Sequence, residues 1–338
     1  MHELPFALAQ AIEDLARQYP PPLVAAAAKE LSDRYREKGL APSSVMETEA
    51  HRIAYAVTRM PATYAAIARV LEETLLRLPE FEPASLLDLG AGPGTAAWAV
   101  SQVFGQTVES VRLIERDADL ADFGRELMEE TVDPALRGAE REASDLTLRE
   151  AYPTTDLVTI CYALGEIPHR FRPDVISAAW AATAQDGCLI VVEAGTPEGY
   201  AVVIEARDYL IANGAKVAAP CPGEIACPMA GTTSWCHFPE RLARSKRHRL
   251  MKGASVGYED EKFSFAVLTR RGDIERPGAR VVDRPKTHKA AVELPLCAPP
   301  GLVQLQVDRR AKDAYKMAKK ARWGDTWAMP EEAEGTAS

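Results

Sequence analysis

Residues 85–99 read SLLDLGAGPGTAAWA, and no other stretch of the chain narrows the possible folds as far. A short apolar run enters three glycines spaced G-x-G-x-G, and a helix-forming run continues through TAAWAVSQVF to Phe104. Strand, tight turn and helix in immediate succession predict a parallel α/β unit, because parallel strands need a crossover between them. The same grammar continues: SVRLIE (110–115), DLVTICYAL (156–164) and CLIVVEAG (188–195) are strand-like, and DVISAAWAATAQ is helical. The implied fold is a parallel sheet covered on both faces. Residues 1–80 are instead rich in Ala, Leu, Glu and Arg at helical spacing, punctuated by Pro21–Pro22, the stretch from Gly39 to Pro42, and Pro61. They predict an N-terminal helical bundle in which Ser43 or Ser44 caps a helix. The expected organisation is 1–80 helical, 81–215 α/β with a last helix at 199–214, 216–325 a basic α+β extension, and 326–338 a disordered tail.

The glycine turn also carries chemistry. Its spacing is neither the G-x-G-x-x-G of dinucleotide binders nor a P-loop, and Asp88 stands two residues before Gly90. A carboxylate there opposes a pyrophosphate and suits a cationic or zwitterionic ligand. This stretch resembles motif I of the class I S-adenosylmethionine-dependent methyltransferases. The resemblance implies a Rossmann-like methyltransferase fold in which Asp88, Gly90, Gly92 and Gly94 surround the methionine part of S-adenosylmethionine. Glu115 would then bind the ribose hydroxyls, and Asp145 would lie near the adenine. The signature of base-amino methyltransferases is missing after the fourth strand, where CYALGEIPH stands instead. Cys161 reads as a buried core thiol, Glu166 and His169 read as satisfied loop residues, and no catalytic residue is assigned.

Three of the six cysteines, Cys221, Cys227 and Cys236, fall within sixteen residues as C-x5-C-x8-C. No apolar run approaches the ~20 residues that span a bilayer. The first twenty residues carry Glu3, Glu13 and Asp14 and no signal pattern, so the expected location is cytoplasmic. Thiols stay reduced there, which demotes a disulfide. Neither gap is a zinc knuckle of two to four residues, and there is no C-x-x-C. Cys297, in a proline-rich stretch read as a turn, is a possible fourth ligand. Four thiolates from irregular loops suit an iron–sulfur cluster at least as well as zinc.

Charge is segregated along the chain. The net charge is −9, yet residues 237–322 hold 21 Lys+Arg against 10 Asp+Glu, leaving the remainder at −20. Two segments stand out, HFPERLARSKRHRLMK and RRAKDAYKMAKKAR, both expected to form basic helices (240–250 and 309–322) that neutralise phosphates. Trp235, Trp323 and Trp327 read as core indoles, with stacking on unpaired bases as the alternative.

RMPATYAAI, CP…CP…WCHF, KGASVGYEDEKFSFAVLTR and KKARWGD together resemble the methyltransferase-like proteins associated with the small ribosomal subunit, found in mitochondria and bacteria. The resemblance runs from about Arg59 to Trp327. It implies a [4Fe–4S] cluster on Cys221, Cys227, Cys236 and Cys297, with zinc as the runner-up. It further implies S-adenosylmethionine binding, and partnership with small-subunit rRNA and the assembling small ribosomal subunit, with no membrane or DNA partner. Methylation of rRNA is the weaker implication. The rival expectation is a small-molecule methyltransferase with a structural zinc module.

Overall fold

The computed structural model describes residues 2–36, 46–129, 131–299 and 301–329. Four helices open the chain: α1 (Phe6–Arg17), α2 (Pro21–Arg36), α3 (Glu49–Thr58) and α4 (Met60–Arg77). In α1 the apolar period buries Leu8, Ile12 and Ala16, one residue per turn on a single stripe. The serines expected to cap the next helix lie outside the described residues; the cap of α3 is Thr48, whose side chain accepts from His51 N at 3.3 Å. Helix α4 is not simply a member of a bundle. It is buried on nearly all sides, with Met60, Tyr64, Ile67 and Leu71 at 1% exposure or less, and it packs against the central sheet. Its many alanines let other elements approach from every direction.

The α/β region follows as β1 (Ser85–Leu89), α5 (Thr95–Phe104), β2 (Ser110–Glu115), α6 (Ala118–Met128), α7 (Pro134–Arg137), β3 (Glu140–Ala143), β4 (Thr155–Cys161), α8 (Arg172–Ala182), β5 (Thr183–Ala194) and α9 (Pro197–Ala212). Then come β6 (Lys216–Ala219), β7 (Phe238–Ala243), α10 (Lys246–Lys252) and β8 (Tyr258–Thr269). The main sheet has the order β3-β2-β1-β4-β5-β8-β6, with β7 also paired to β8. It is parallel from β3 to β5, and β8 is antiparallel to both β5 and β6. A parallel sheet with one antiparallel strand inserted next to the last is the class I methyltransferase architecture. The strands buried on both faces are continuous apolar runs, as in Leu189 to Val192, each 0% exposed.

Three elements differ from expectation. No division in space falls at residue 216, because β6, β7 and β8 complete the main sheet. The basic segment at 240–250 is half strand and half helix, since Phe238–Ala243 pairs with β8 before α10 begins. The final basic helix is confined to α11 (Lys312–Ala318).

A second sheet is built from β9 (Ala279–Val281), β10 (Lys286–Thr287), β11 (Ala291–Ala298), β12 (Gly301–Asp308) and β13 (Thr326–Trp327). Trp327 therefore lies in a strand rather than a disordered tail, and residues 330–338 lie outside the described part. Strands β11 and β12 form a hairpin along their full length, from Ala291↔Asp308 to Ala298↔Gly301. Alternate residues Val292, Leu294, Leu296 and Val307 face a small core closed by Ala318 of α11. Among the described residues no helix is long and apolar enough to cross a membrane.

Arg280 of β9, 2% exposed, joins this sheet to the rest. Its Nε donates to Pro220 O at 3.0 Å, one Nη to Gly324 O at 2.9 Å, and the other to Glu73 of α4. Breaking such a pair leaves a buried charge behind. Arg280→Met should cost about 3 kcal/mol, the lower end of the usual range because Arg77 still faces Glu73. Urea unfolding checks this; a change below about 0.5 kcal/mol would show that the guanidinium is not a structural tie.

Candidate cofactor cavity and cysteine site

The turn after β1 shapes the first site. Gly90 and Gly94 have φ of +73° and +84°, a region that costs other residues strain. Space restricts Gly90 as well, where a Cβ would lie 2.4 Å from Ala163 Cβ; one at Gly94 would lie 2.3 Å from Met128 Cε, the movable end of a flexible side chain. The glycines thus serve close packing against the β4 and α6 segments as well as the turn itself. Above them opens a cavity of about 510 Å3, walled by Gly90, Gly92, Glu115, Asp145, Tyr162 and Glu193 among others. Helix α3 and its C-terminal end contribute Tyr55 and Arg59 to the opposite wall.

The predicted residues take distinct places. Glu115 lies at the end of β2, where Oε2 accepts from Gly92 N at 2.8 Å and Oε1 from Asp117 N at 2.9 Å. It braces the glycine loop while facing the cavity. Asp145 lines the cavity too, with Oδ1 accepting from both Thr147 N and Thr147 Oγ1 at 2.8 Å; these bonds hold its carboxyl below the ordinary range. Gly94 sits one step back from the wall as the N-cap of α5.

Asp88 does not line the cavity. It is 1% exposed beneath it, with Oδ1 accepting from Thr159 Oγ1 at 2.7 Å and Oδ2 without a partner. Burial, with the Glu115 charge adding to it, pushes its carboxyl up to about 7. Glu193 at the end of β5 is likewise raised to about 7 by burial, against the pull of a 2.8 Å bond from Gly165 N. A buried carboxyl with an orphan oxygen below an acid-lined cavity suits a ligand carrying positive charge.

Sequence reasoning missed four cavity residues. Tyr162 has φ +57° and a buried hydroxyl without a partner, a strained position of the kind that gathers at binding sites. Arg59 reaches across to Glu261 with two bonds of 3.2 Å. Glu193 and Tyr55 complete the set. For Tyr162 and Glu193 the available signal was position, at the carboxyl ends of β4 and β5, and for Arg59 its place at the head of RMPATYAAI. Cys161 also lines the cavity, and burial raises its thiol well above the usual range, which suits an inert side chain. Glu166 is on the wall as well, whereas His169 is exposed and pairs with Glu205 at 3.2 Å.

The second site lies on the far side of β5 and α9. Cys221, Cys227, Cys236 and Cys297 all line one apolar cavity with Tyr200 and Arg207 of α9, and with Arg280. Cys297 comes from β11, not from a turn, and faces away from the core beneath α11. Tyr200 Oη lies 3.2 Å from Cys227 Sγ. Arg207 is 1% exposed and its Nη2 donates to Gly223 O and Ile225 O, fixing the loop that carries Cys221. Burial and mutual repulsion raise the Cys221, Cys236 and Cys297 thiols, the last to about 12. Arg207 opposes the shift at Cys221 and Cys297, and Arg280 at all three. Among the described residues no three His, Cys, Asp or Glu side chains are drawn up around a single metal-ion position. Four thiols and two buried guanidiniums therefore line one cavity.

The tryptophans near this site are used internally. Trp235 Nε1 donates to Gly195 O at 3.0 Å, its ring stacks on His237, and His237 meets Trp323 edge-on at 4.6 Å between centroids. Trp327 packs on the core under α11.

Comparison with known proteins places the chain. Residues 49–328 match the family described as mitochondrial small ribosomal subunit Rsm22. The human mitochondrial ribosome assembly protein METTL17 is 28% identical over 304 residues, covering 82% of this chain and 62% of that protein. The Rsm22-cox11 tandem protein 2 of Schizosaccharomyces pombe, also mitochondrial, is 22% identical over 86% of this chain and 44% of its own length. The chain thus spans about half to three fifths of these relatives. Among solved structures, TehB from Haemophilus influenzae gives a TM-score of 0.40 at 13% identity, covering 60% of this chain and 62% of that one. The magnesium protoporphyrin IX methyltransferase of Synechocystis gives 0.38 at 14%, covering 70% and 90%. Superpositions this loose carry no argument beyond the strand order already described. The relatives overturn the expected cytoplasmic location: the matched proteins are mitochondrial, and an acidic composition in the first twenty residues does not decide the compartment. With most of its length inside the match, the chain belongs to the Rsm22 family.

Proposed function

We propose that this protein is an assembly factor of the small ribosomal subunit that binds S-adenosylmethionine in the acid-lined cavity, holds an iron–sulfur cluster on its four cysteines, and contacts rRNA. The observation that carries the reading is that Cys221, Cys227, Cys236 and Cys297, from two distant parts of the chain, line one cavity. A zinc ion asks its ligands to close on a point about 2.3 Å from each sulfur. A cubane cluster gives each thiolate its own iron, and four thiols spread around a cavity suit that better. Such a cluster supplies charge and cross-linking; the chain's part is to present the thiols, balance them with Arg207 and Arg280, and exclude water with the Met229 and Val282 packing. METTL17 is a ribosome assembly protein by name, and membership of the same family supports the same role here. Methyl transfer to rRNA is a separate step for which the cavity offers no assigned base.

Two outcomes are expected. Anaerobically purified protein should carry iron and sulfide with broad absorbance near ~400 nm. Cys297→Ser should lose both and melt lower, while the buried, off-site Cys188→Ser keeps its iron. Stoichiometric zinc in colourless wild-type protein would instead favour the small-molecule methyltransferase with a structural zinc module.

The cofactor cavity makes a pH prediction. Asp88 and Glu193 hold protons up to about pH 7, so a cationic ligand that favours their ionised forms must release protons on binding. Affinity for S-adenosylmethionine should rise by up to about tenfold per group from pH 6 to 8, about a hundredfold for the two, because each proton displaced contributes up to a factor of ten per pH unit below its pKa. S-adenosylhomocysteine, lacking the sulfonium charge, should show a shallower rise, and Asp88→Asn should reduce both rises to the share that Glu193 contributes. Calorimetric titration with equal, pH-independent affinities for the two ligands would rule out a charge-tuned cavity.

A further inference from the structure

The two basic segments look alike in sequence, with six Lys+Arg to one acid at 237–252 and seven to one at 309–322. In the fold they have opposite fates. Arg241 holds Asp260 with bonds of 2.6 and 2.8 Å, and Arg244 holds Glu259 at 2.9 and 2.8 Å. Arg247 reaches Glu13 of α1 with two bonds of 2.8 Å, and Lys252 joins Glu259 at 3.2 Å. Even His248, 1% exposed, lies 3.3 Å from Glu259. Four of the six cations are already neutralised, and the carboxylates that do it come from β8 and from the N-terminal helices.

Around α11 the account is reversed. Arg309, Arg310, Lys312, Lys316, Lys319, Lys320 and Arg322 are all exposed, and among the described residues the one ion pair is Lys316–Asp313 at 3.4 Å, itself in solvent. The other nearby acids are occupied with backbone: Asp308 accepts from Arg310 N at 2.7 Å and Asp325 from Arg322 N at 2.8 Å. Lys312, Lys316 and Lys320 recur every fourth residue, so they form one stripe through the helix and the turn that ends it. The opposite side of α11, with Ala314, Tyr315 and Ala318, is spent on the core over β11 and β12. What faces out is ammonium and guanidinium with one exposed apolar side chain of note, Met317. That composition does not suit insertion into a membrane interface or docking in a hydrophobic groove, both of which need an apolar face. It suits a chain of phosphates.

We propose that residues 309–322 form the phosphate-contacting surface for RNA, and that the equally basic 241–252 segment is an internal ion-pair clamp that does not touch it. The inference rests on the ribosomal reading above and adds to it a location. Contact is with the backbone, not with base edges, so it positions the RNA without selecting sequence.

The test compares two full-length variants with wild type, using a fluorescein-labelled single-stranded RNA of mixed sequence across a salt series, with melting temperature read in parallel. The triple variant Lys312→Gln, Lys316→Gln, Lys320→Gln should melt like wild type. Each single-strand phosphate contact contributes a slope of about −0.7 in log K against log salt, so the loss of three should flatten the slope by about 2 and weaken binding roughly hundredfold near 0.1 M salt. Arg247→Gln should melt lower, having lost Glu13, and bind as wild type does. Unchanged binding by the folded triple variant would overturn the location while leaving RNA binding intact; so would weaker binding by Arg247→Gln under conditions where it stays folded. If wild type fails to bind RNA, the ribosomal reading itself falls. If it binds anionic vesicles or an acidic peptide instead, and the triple variant abolishes that, the surface is polyanion-binding but the RNA assignment is overturned.

Discussion

One buried guanidinium fixes how the pieces of this chain meet. Arg280 spends its donors on Glu73 of a nearly all-buried helix, on the carbonyl of Pro220 just before the first clustered cysteine, and on the carbonyl of Gly324 near the C-terminus. A lysine offers a single point of charge and could not hold three directions at once; the planar fork of arginine can. Because Arg280 also lines the cysteine cavity, the docking of the second sheet and the placement of Cys221 and Cys297 are one structural event. Burying such a charge is costly in isolation, and the full set of partners is what makes it tolerable.

The two candidate sites share a second element. Strand β5 ends with Glu193 and Ala194 on the cofactor cavity, turns at Gly195, and enters α9, whose Tyr200 and Arg207 face the cysteines. The turn is packed without slack: a Cβ on Gly195 would lie 2.6 Å from the Lys262 carbonyl carbon, and one on Gly199 2.1 Å from Ala194 O. Trp235, next to Cys236, donates its indole N–H to Gly195 O, and Ser264 Oγ donates to the Cys236 carbonyl at 2.7 Å. The cysteine loops are therefore fastened to the very turn that shapes one end of the cofactor cavity.

How much of this the sequence revealed depends on the range of the interaction. Strands β1 and β2 were legible to the residue, because an apolar run and a glycine turn are local signals. That Cys221, Cys227, Cys236 and Cys297 belong together was implied by the family resemblance, and the strand carrying Cys297 was hidden by its prolines. The place of β8 was not legible. Its pairing with β5 on one side and β6 on the other is a long-range contact, and a strand in the middle of a sheet looks in sequence like any other apolar run. Asp88 was identified as an acid by its motif, but its withdrawal beneath the cavity onto Thr159 is a matter of packing.

The charge asymmetry shows the same limit more sharply. An acidic front and a basic back looked like a division between a part that meets a polyanion and a part that does not. The pairs that dock one part on the other run both with that division and against it. Glu13 takes Arg247 and Glu73 takes Arg280, while Arg59 takes Glu261 and His2 lies 3.1 Å from Glu240 in the opposite sense. Each pair spans most of the chain, so no window along the sequence could have subtracted them. Net charge counted by segment overstates what is offered to a partner by whatever the fold has already neutralised. The exposed cations around α11 are among those that remain once the pairs are removed.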